Sequence, residues 1–252
     1  MSEPPRLENR LPPENLLERD EHPLRELAWL LAASLAALAV LVLATGFVAR
    51  WLAPKLPFEH ELALAERLFD EDGAAQKADA ATRERQAALQ ALADRVAGAM
   101  ALPPGMRVVV TDEPSGLVNA YATVGGRIRV FHGLLRRLGS EEALAALLAH
   151  EIAHVKHRHV AAGLGHGGAQ AAQAVLGGAA QLALLGYSRE AERQADAEAL
   201  AASLALYGHG GGVAALFAAL PQADAAAGTA WLRNHPETAE RLALLQAAAA
   251  AQ

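Results

Sequence analysis

A chain of 252 residues with 53% hydrophobic content is long enough to bury one core plus an accessory segment, and too apolar to be disordered. A net charge of −6 with only 4% aromatic residues supplies neither a basic stripe nor stacking rings, which excludes nucleic acid as a partner class. The absence of cysteine removes disulfides, thiolate metal sites and cysteine nucleophiles, so any metal must be held by nitrogen and oxygen.

Residues 1–26 combine prolines with charges of both signs and read as a flexible tail. Residues 27–49 are uncharged; as a helix they would extend about 34 Å, enough to cross a hydrocarbon layer of roughly 30 Å. Trp29 and Trp51 lie near the two ends, at the depth amphipathic rings prefer. A transmembrane helix over 27–51 is therefore expected, with the membrane as a partner through 27–49. The run is too long for the apolar region of a signal peptide and follows a long, mostly acidic segment. Basic residues do not orient it: Arg10, Arg19 and Arg25 balance Arg50, Lys55 and Arg67.

Residues 52–252 read as a single domain of α+β class, mostly α. Ala53 to Pro57 is a short stiff exit, and the alanine-rich stretch from Glu59 to about Ala101 suits one or two amphipathic helices, ended by Pro103-Pro104-Gly105. Three short segments, Arg107–Thr111, Leu117–Thr123 and Arg127–Phe131, with a Gly125-Gly126 turn between the last two, predict a small antiparallel sheet. Ser140 followed by Glu141 and Glu142 starts a helix that runs to about Val160, with Leu144, Leu147, Leu148 and Ile152 on its buried side. Residues 161–187 are rich in Gly and Ala, with His166, Gln170, Gln173 and Gln181 interspersed; they suit a mobile lid better than a second membrane span. A strong helix is expected from Arg189 to about Leu206, and a last one after Pro236.

The chemistry concentrates in His150-Glu151-Ile152-Ala153-His154. On a helix, positions 150 and 154 stand about 40° apart and one turn along, so one zinc ion can bridge both imidazoles. Glu151, further round, would take a proton from the attacking water. His157 shares the His150 face but lies about 10 Å along the axis, which makes it a solvated residue, and His159 a supporting one. A third ligand must come from elsewhere, because the metzincin pattern needs glycine at 157 and histidine at 160, where this chain has His157 and Val160. In SREAERQADAEAL, residues 188–200, Glu192 and Asp196 share one face beside small Ala195 and Ala199. Glu192 is the expected third ligand to one Zn2+ per chain, and Asp196 the carboxylate that holds the outer nitrogen of a ligating histidine. Glu190 and Glu198 point away from that face and read as solvent-facing charges.

Taken jointly, several pieces resemble the HtpX-like and BepA-like zinc metallopeptidases, gluzincins related to the CAAX prenyl protease. They are Val118-Asn119-Ala120-Tyr121-Ala122, Gly125-Gly126, the HEXXH motif with His159, Ser188-Arg189, Glu192 to Asp196, Asn234-His235-Pro236 and Arg241, within a resemblance spanning Leu56 to Leu245. The resemblance implies a zinc endopeptidase with His150, His154 and Glu192 as ligands and Glu151 as general base. It further implies an edge strand carrying Asn119, Ala120 and Tyr121 that pairs with extended polypeptide substrates. His235 is implied near the metal, stabilising the oxyanion or gating the site, with Arg241 nearby as a further catalytic residue. Better-known membrane-embedded relatives have several spans; the single span at 27–49 points to a tethered soluble domain rather than intramembrane cleavage. With the short tail as the untranslocated end, the expected location is a cell inner membrane, single-pass, with the catalytic domain in the periplasm. The expected role is hydrolysis of unfolded or damaged proteins in envelope quality control. Two rivals are a chaperone-like binding module with a latched or structural zinc, and metal buffering by the histidine tract.

Overall fold

The computed structural model describes residues 23–52, 55–68, 79–164 and 187–220, together with Trp231, His235, Arg241 and Ala243. The proposed lid centre and the helix after Pro236 lie outside the described residues, as does the N-terminal tail. The chain divides into two units, Met1–Leu43 and Ala44–Gln252.

The first unit contributes most of helix α1 (Pro23–Leu52). Its Pro23–Thr45 stretch has a mean hydropathy of 2.5 with none of it buried, and is long and apolar enough to cross a membrane. In the second unit, α2 (Phe58–Leu68) and α3 (Ala80–Ala99) follow, the latter capped by the Asp79 carboxylate, which accepts from the Thr82 amide at 2.8 Å.

Three strands come next: β1 (Val109–Glu113), β2 (Ala120–Thr123) and β3 (Arg127–Phe131). The sheet is mixed rather than antiparallel. Its order is β1-β3-β2, with β2 antiparallel to β3 and β1 parallel to it. The glycine pair signals the β2–β3 hairpin for a physical reason: Gly125 and Gly126 both take positive φ, and a side chain at 126 would run into the Arg107 carbonyl. That signal fixes only the β2–β3 pair, however. The segment between β1 and β2 carries the chain past the middle position, which β3 then fills alongside β1.

After a short α4 (His132–Leu135), helix α5 (Glu141–Lys156) forms the centre of the unit. Ser140 accepts from the Ala143 amide at 3.1 Å, and Glu141 and Glu142 occupy the positive first turn, as the sequence suggests. From Ala145 to Val155 every residue is buried, the signature of a helix surrounded on all sides. Its neighbours are α3, β2, α7 (Arg189–Tyr207) and α8 (Gly211–Ala219), the last unpredicted.

Helix α5 stops at Lys156, short of the expected end. Arg158 adopts a left-handed φ of 56°, and α6 (His159–Leu164) starts in a new direction. No glycine or proline announces this corner. It is held from afar: the Arg158 guanidinium donates to Glu61 on α2 at 2.7 Å and to the Leu56 carbonyl. The corner swings His159 back toward His154.

Candidate metal centre

Three separated stretches of chain meet at the C-terminal half of α5. His150, Glu151 and His154 come from that helix, Glu192 and Asp196 from α7, and His235 and Arg241 from beyond α8. Helix α7 is aimed there by Ser188, whose hydroxyl accepts from the Ala191 amide, and lies close because Ala195 and Ala199 are buried against α5. All seven residues are at most 6% exposed, so their polar atoms must find partners among one another.

The inner atoms converge. His150 Nε2 and His154 Nε2 are 3.2 Å apart, and each lies 3.6 Å from a Glu192 carboxylate oxygen. His235 Nδ1 stands 3.2 Å from His150 Nε2 and 3.1 Å from Glu192 Oε1, so that one atom from each of the four residues falls within 4.8 Å of all the others. A tetrahedral zinc with bonds of about 2.0–2.1 Å places its donors about 3.3 Å apart, close to the 3.1, 3.2 and 3.6 Å separations of the nearest pairs here.

The outer nitrogens explain why a cation belongs there. His150 Nδ1 faces Asp196 Oδ1 at 3.1 Å, His154 Nδ1 faces His159 Nδ1 at 2.9 Å, and His235 Nε2 faces Glu151 Oε1 at 3.4 Å. With their protons turned outward, the His150 and His154 imidazoles present bare lone pairs to each other and to the Glu192 carboxylate, an arrangement a divalent ion satisfies. Burial first, then His150 and His235, holds the His154 imidazole well below its ordinary value, keeping it neutral as a ligand must be. For His150, burial pulls the same way, but the Asp196 hydrogen bond and the Glu192 charge outweigh it and raise the imidazole.

The carboxylates are held by Arg241, which donates to Asp196 at 2.7 and 2.9 Å and lies 2.8 Å from Glu192 Oε2. Burial would raise Asp196, but hydrogen bonds from His150 and Arg241 bring it down to about 2. Glu151 is fully buried, and burial pushes its carboxyl above the usual range against the pull of His235 and His150.

Beside this cluster, β2 is an edge strand of the sheet. The Phe131 amide donates to the Asn119 carbonyl at 3.1 Å, so pairing alternates and the main-chain groups of Ala120 and Ala122 point away from β3, where the Ala122 carbonyl accepts from the Tyr187 hydroxyl. Tyr121 is buried against Phe131, with ring centroids 5.9 Å apart.

Two expectations need correction. His157 is not a solvated residue, since its Nε2 lies 3.0 Å from Glu198 Oε1; nor is Glu198 a free surface charge, since it also accepts from Lys156 at 2.9 and 3.0 Å. Three residues went unnoticed. Tyr187 stacks on His154 at 3.6 Å and donates to the Ala122 carbonyl, Trp231 stacks on His235 at 4.1 Å, and Gln194 bonds both His157 and His159. With three Tyr and three Trp in the chain, an aromatic next to a motif piece was a signal worth weighting.

Two histidines and a glutamate around one point, with a second glutamate on the same helix as the histidines, define the metal centre of a metallopeptidase. The chain belongs to peptidase family M48, whose family profile matches residues 83–249, and whose members use zinc. Over 57 residues it is 42% identical to the mitochondrial metalloendopeptidase OMA1 of Arabidopsis thaliana, covering 23% of this chain and 11% of that protein. Over 44 residues it is 48% identical to a putative beta-barrel assembly-enhancing protease of Vibrio cholerae, and 46% identical to a beta-barrel assembly-enhancing protease of Yersinia pestis, covering 18% of this chain and 9% of each. The chain thus spans about a tenth of the length of the relatives it matches.

Proposed function

We propose that this chain is a membrane-anchored zinc metalloendopeptidase of gluzincin type that hydrolyses peptide bonds of unfolded or damaged proteins. The observation that carries this reading is the convergence of His150, His154 and Glu192 donor atoms at tetrahedral spacing beside a buried Glu151. Zinc held there supplies Lewis-acid polarisation of the scissile carbonyl and a lowered pKa for the attacking water. Glu151, with its raised proton affinity, receives the water's proton and passes it to the leaving amine. An extended substrate segment adds to the edge of β2 at Ala120 and displaces Tyr187 from the Ala122 carbonyl, through main-chain bonds that demand little of its sequence. Asn119 and Tyr121 flank that contact. Asp196 and Arg241 hold the ligands.

The exposed apolar stretch of α1 supports anchoring as one pass through an inner membrane, with residues 52–252 on the periplasmic side; digestion of spheroplasts by an added protease should remove that domain. The names of the bacterial relatives, which tie them to beta-barrel assembly, suit a role in envelope quality control.

Casein hydrolysis by the full chain in detergent tests the chemistry. Glu151→Gln should retain one zinc per chain and lose at least 100-fold in rate. Equal rates would eliminate Glu151 as the base.

A second reading has one observation in its favour. His235 Nδ1 stands where a fourth donor would, 3.2 Å from His150 Nε2 and 3.1 Å from Glu192 Oε1, as a latched binding module requires. His235→Ala separates three readings: a latch predicts faster casein cleavage, an oxyanion role predicts slower cleavage, and a chaperone-like module predicts none before or after.

A further inference from the structure

His154 is the start of a hydrogen-bonded chain that leaves the metal centre and ends near the surface. His154 Nδ1 lies 2.9 Å from His159 Nδ1; His159 Nε2 lies 3.0 Å from Gln194 Oε1; Gln194 Nε2 lies 3.0 Å from His157 Nδ1; and His157 Nε2 lies 3.0 Å from Glu198 Oε1. Lys156 closes the chain, donating to both Glu198 oxygens and to the Met100 carbonyl at 2.9 Å. The chain leaves the interior at once: His154 is 0% exposed, Gln194 is exposed, and His157 and Glu198 are 25% and 24% exposed.

The direction of this chain is fixed by its far end. Glu198 as a carboxylate only accepts, so His157 donates through Nε2–H and leaves Nδ1 bare. A bare Nδ1 must accept, so Gln194 presents its NH2 group there and its carbonyl to His159. His159 then donates through Nε2–H, leaves its own Nδ1 bare, and accepts from His154. His154 is left with its proton on Nδ1 and a lone pair on Nε2, pointing at the donor cluster. One carboxylate near the surface thus dictates, through four bonds of the same polarity, which nitrogen of a buried histidine is free to bind a metal.

We infer that Gln194, His157 and Glu198 are positioning residues for metal binding by His154, forming a directional relay that selects its Nε2-bare tautomer. The inference rests on reading His154 as a metal ligand. Helix α7 then serves the centre twice, with Glu192 on the inner face and Gln194 and Glu198 on the face that meets the α5–α6 corner.

The polarity makes a prediction that bulk packing does not. At position 194 the group facing His159 must accept, so Gln194→Glu keeps the support of His154, whereas Gln194→Met removes it. At 198 the same holds: Glu198→Gln still offers an oxygen to His157, and Glu198→Leu does not. The full-length, metal-free protein in detergent is titrated with zinc against a chromophoric chelator, and its histidine ring nitrogens are followed by 15N NMR.

Gln194→Met should bind zinc about tenfold more weakly, the low end of what loss of an outer partner of a metal-binding histidine causes. It should also populate the other His154 tautomer, while Gln194→Glu stays within about threefold of the parent. Should Gln194→Met fail to fold, the Glu198→Leu and Glu198→Gln pair carries the same contrast at a half-buried position one turn further along α7. Unchanged affinity and tautomer in Gln194→Met and Glu198→Leu would overturn the relay, as would equal losses in the two members of each pair. His154→Ala separates this failure from that of the parent reading: if it binds zinc as tightly as the parent, His154 is not a ligand, and if it loses zinc while Gln194→Met does not, only the relay fails.

Discussion

Arg241 carries the heaviest single burden in the centre. It is 3% exposed and faces two buried carboxylates, Asp196 and Glu192, which repel each other without it. Arg241→Ala leaves both acids buried with one compensating charge fewer, a change that costs about 3–5 kcal/mol when a partner is removed from a buried pair. Urea unfolding of the metal-free protein should show this loss, and zinc should recover part of it by pairing Glu192 again. At this scale the sequence was informative where spacing on one helix decides the outcome: His150, Glu151 and His154 share α5, Glu192 and Asp196 share α7, and all five meet. It was uninformative where a second helix decides. Glu198 points away from the Glu192 face, which on an isolated helix means water; here the C-terminal end of α5 covers that side, and Lys156 and His157 turn a presumed surface charge into a bonded one. Burial would raise its carboxyl, but those two hydrogen bonds outweigh it and hold it below the ordinary value.

Among the elements, α5 depends on how closely its neighbours approach. Gly212 at the start of α8 lies against the first turn of α5, where an added Cβ would sit 2.4 Å from the Glu142 carbonyl oxygen. Gly212→Ala gains up to about 1 kcal/mol in helix propensity. The contact is with backbone, which cannot swing aside as a flexible side chain can, so overlap should win and destabilise the fold by about 1–3 kcal/mol. The thermal midpoint should fall while zinc stoichiometry stays at one per chain, because the affected turn lies more than two helical turns from His150; a loss of zinc would mean that α8 helps to aim the ligands. Element boundaries were readable where a local cap sets them, as at Ser140 and Ser188. The corner at Arg158 was not, because its cause is an ion pair to Glu61, almost a hundred residues earlier, and no local propensity encodes that. The sheet shows the same division: a glycine pair announces a hairpin, but nothing within β1 says which edge it will join.

For the molecule as a whole, the donor set joins parts of the chain that no single element contains: α5, α7 and the stretch holding His235 and Arg241. An ion held by His150 and His154 of α5 and Glu192 of α7 is lost when either helix departs, so binding free energy becomes folding free energy for the second unit. At free zinc 1,000-fold above the dissociation constant this linkage is worth about 4 kcal/mol. Chelation should therefore lower the midpoint of one cooperative transition, rather than split off an early phase from α7 alone. The shift should grow with the logarithm of free zinc and disappear in His150→Ala. Helix α1 belongs to the other side of this division, since no residue of its Pro23–Thr45 stretch is buried and none belongs to the donor cluster. Its helicity should outlast the transition in lipid or detergent, where its backbone bonds are satisfied within the helix. Circular dichroism with and without chelator separates the two signals: a midpoint indifferent to free zinc would mean that these lone pairs meet without holding an ion.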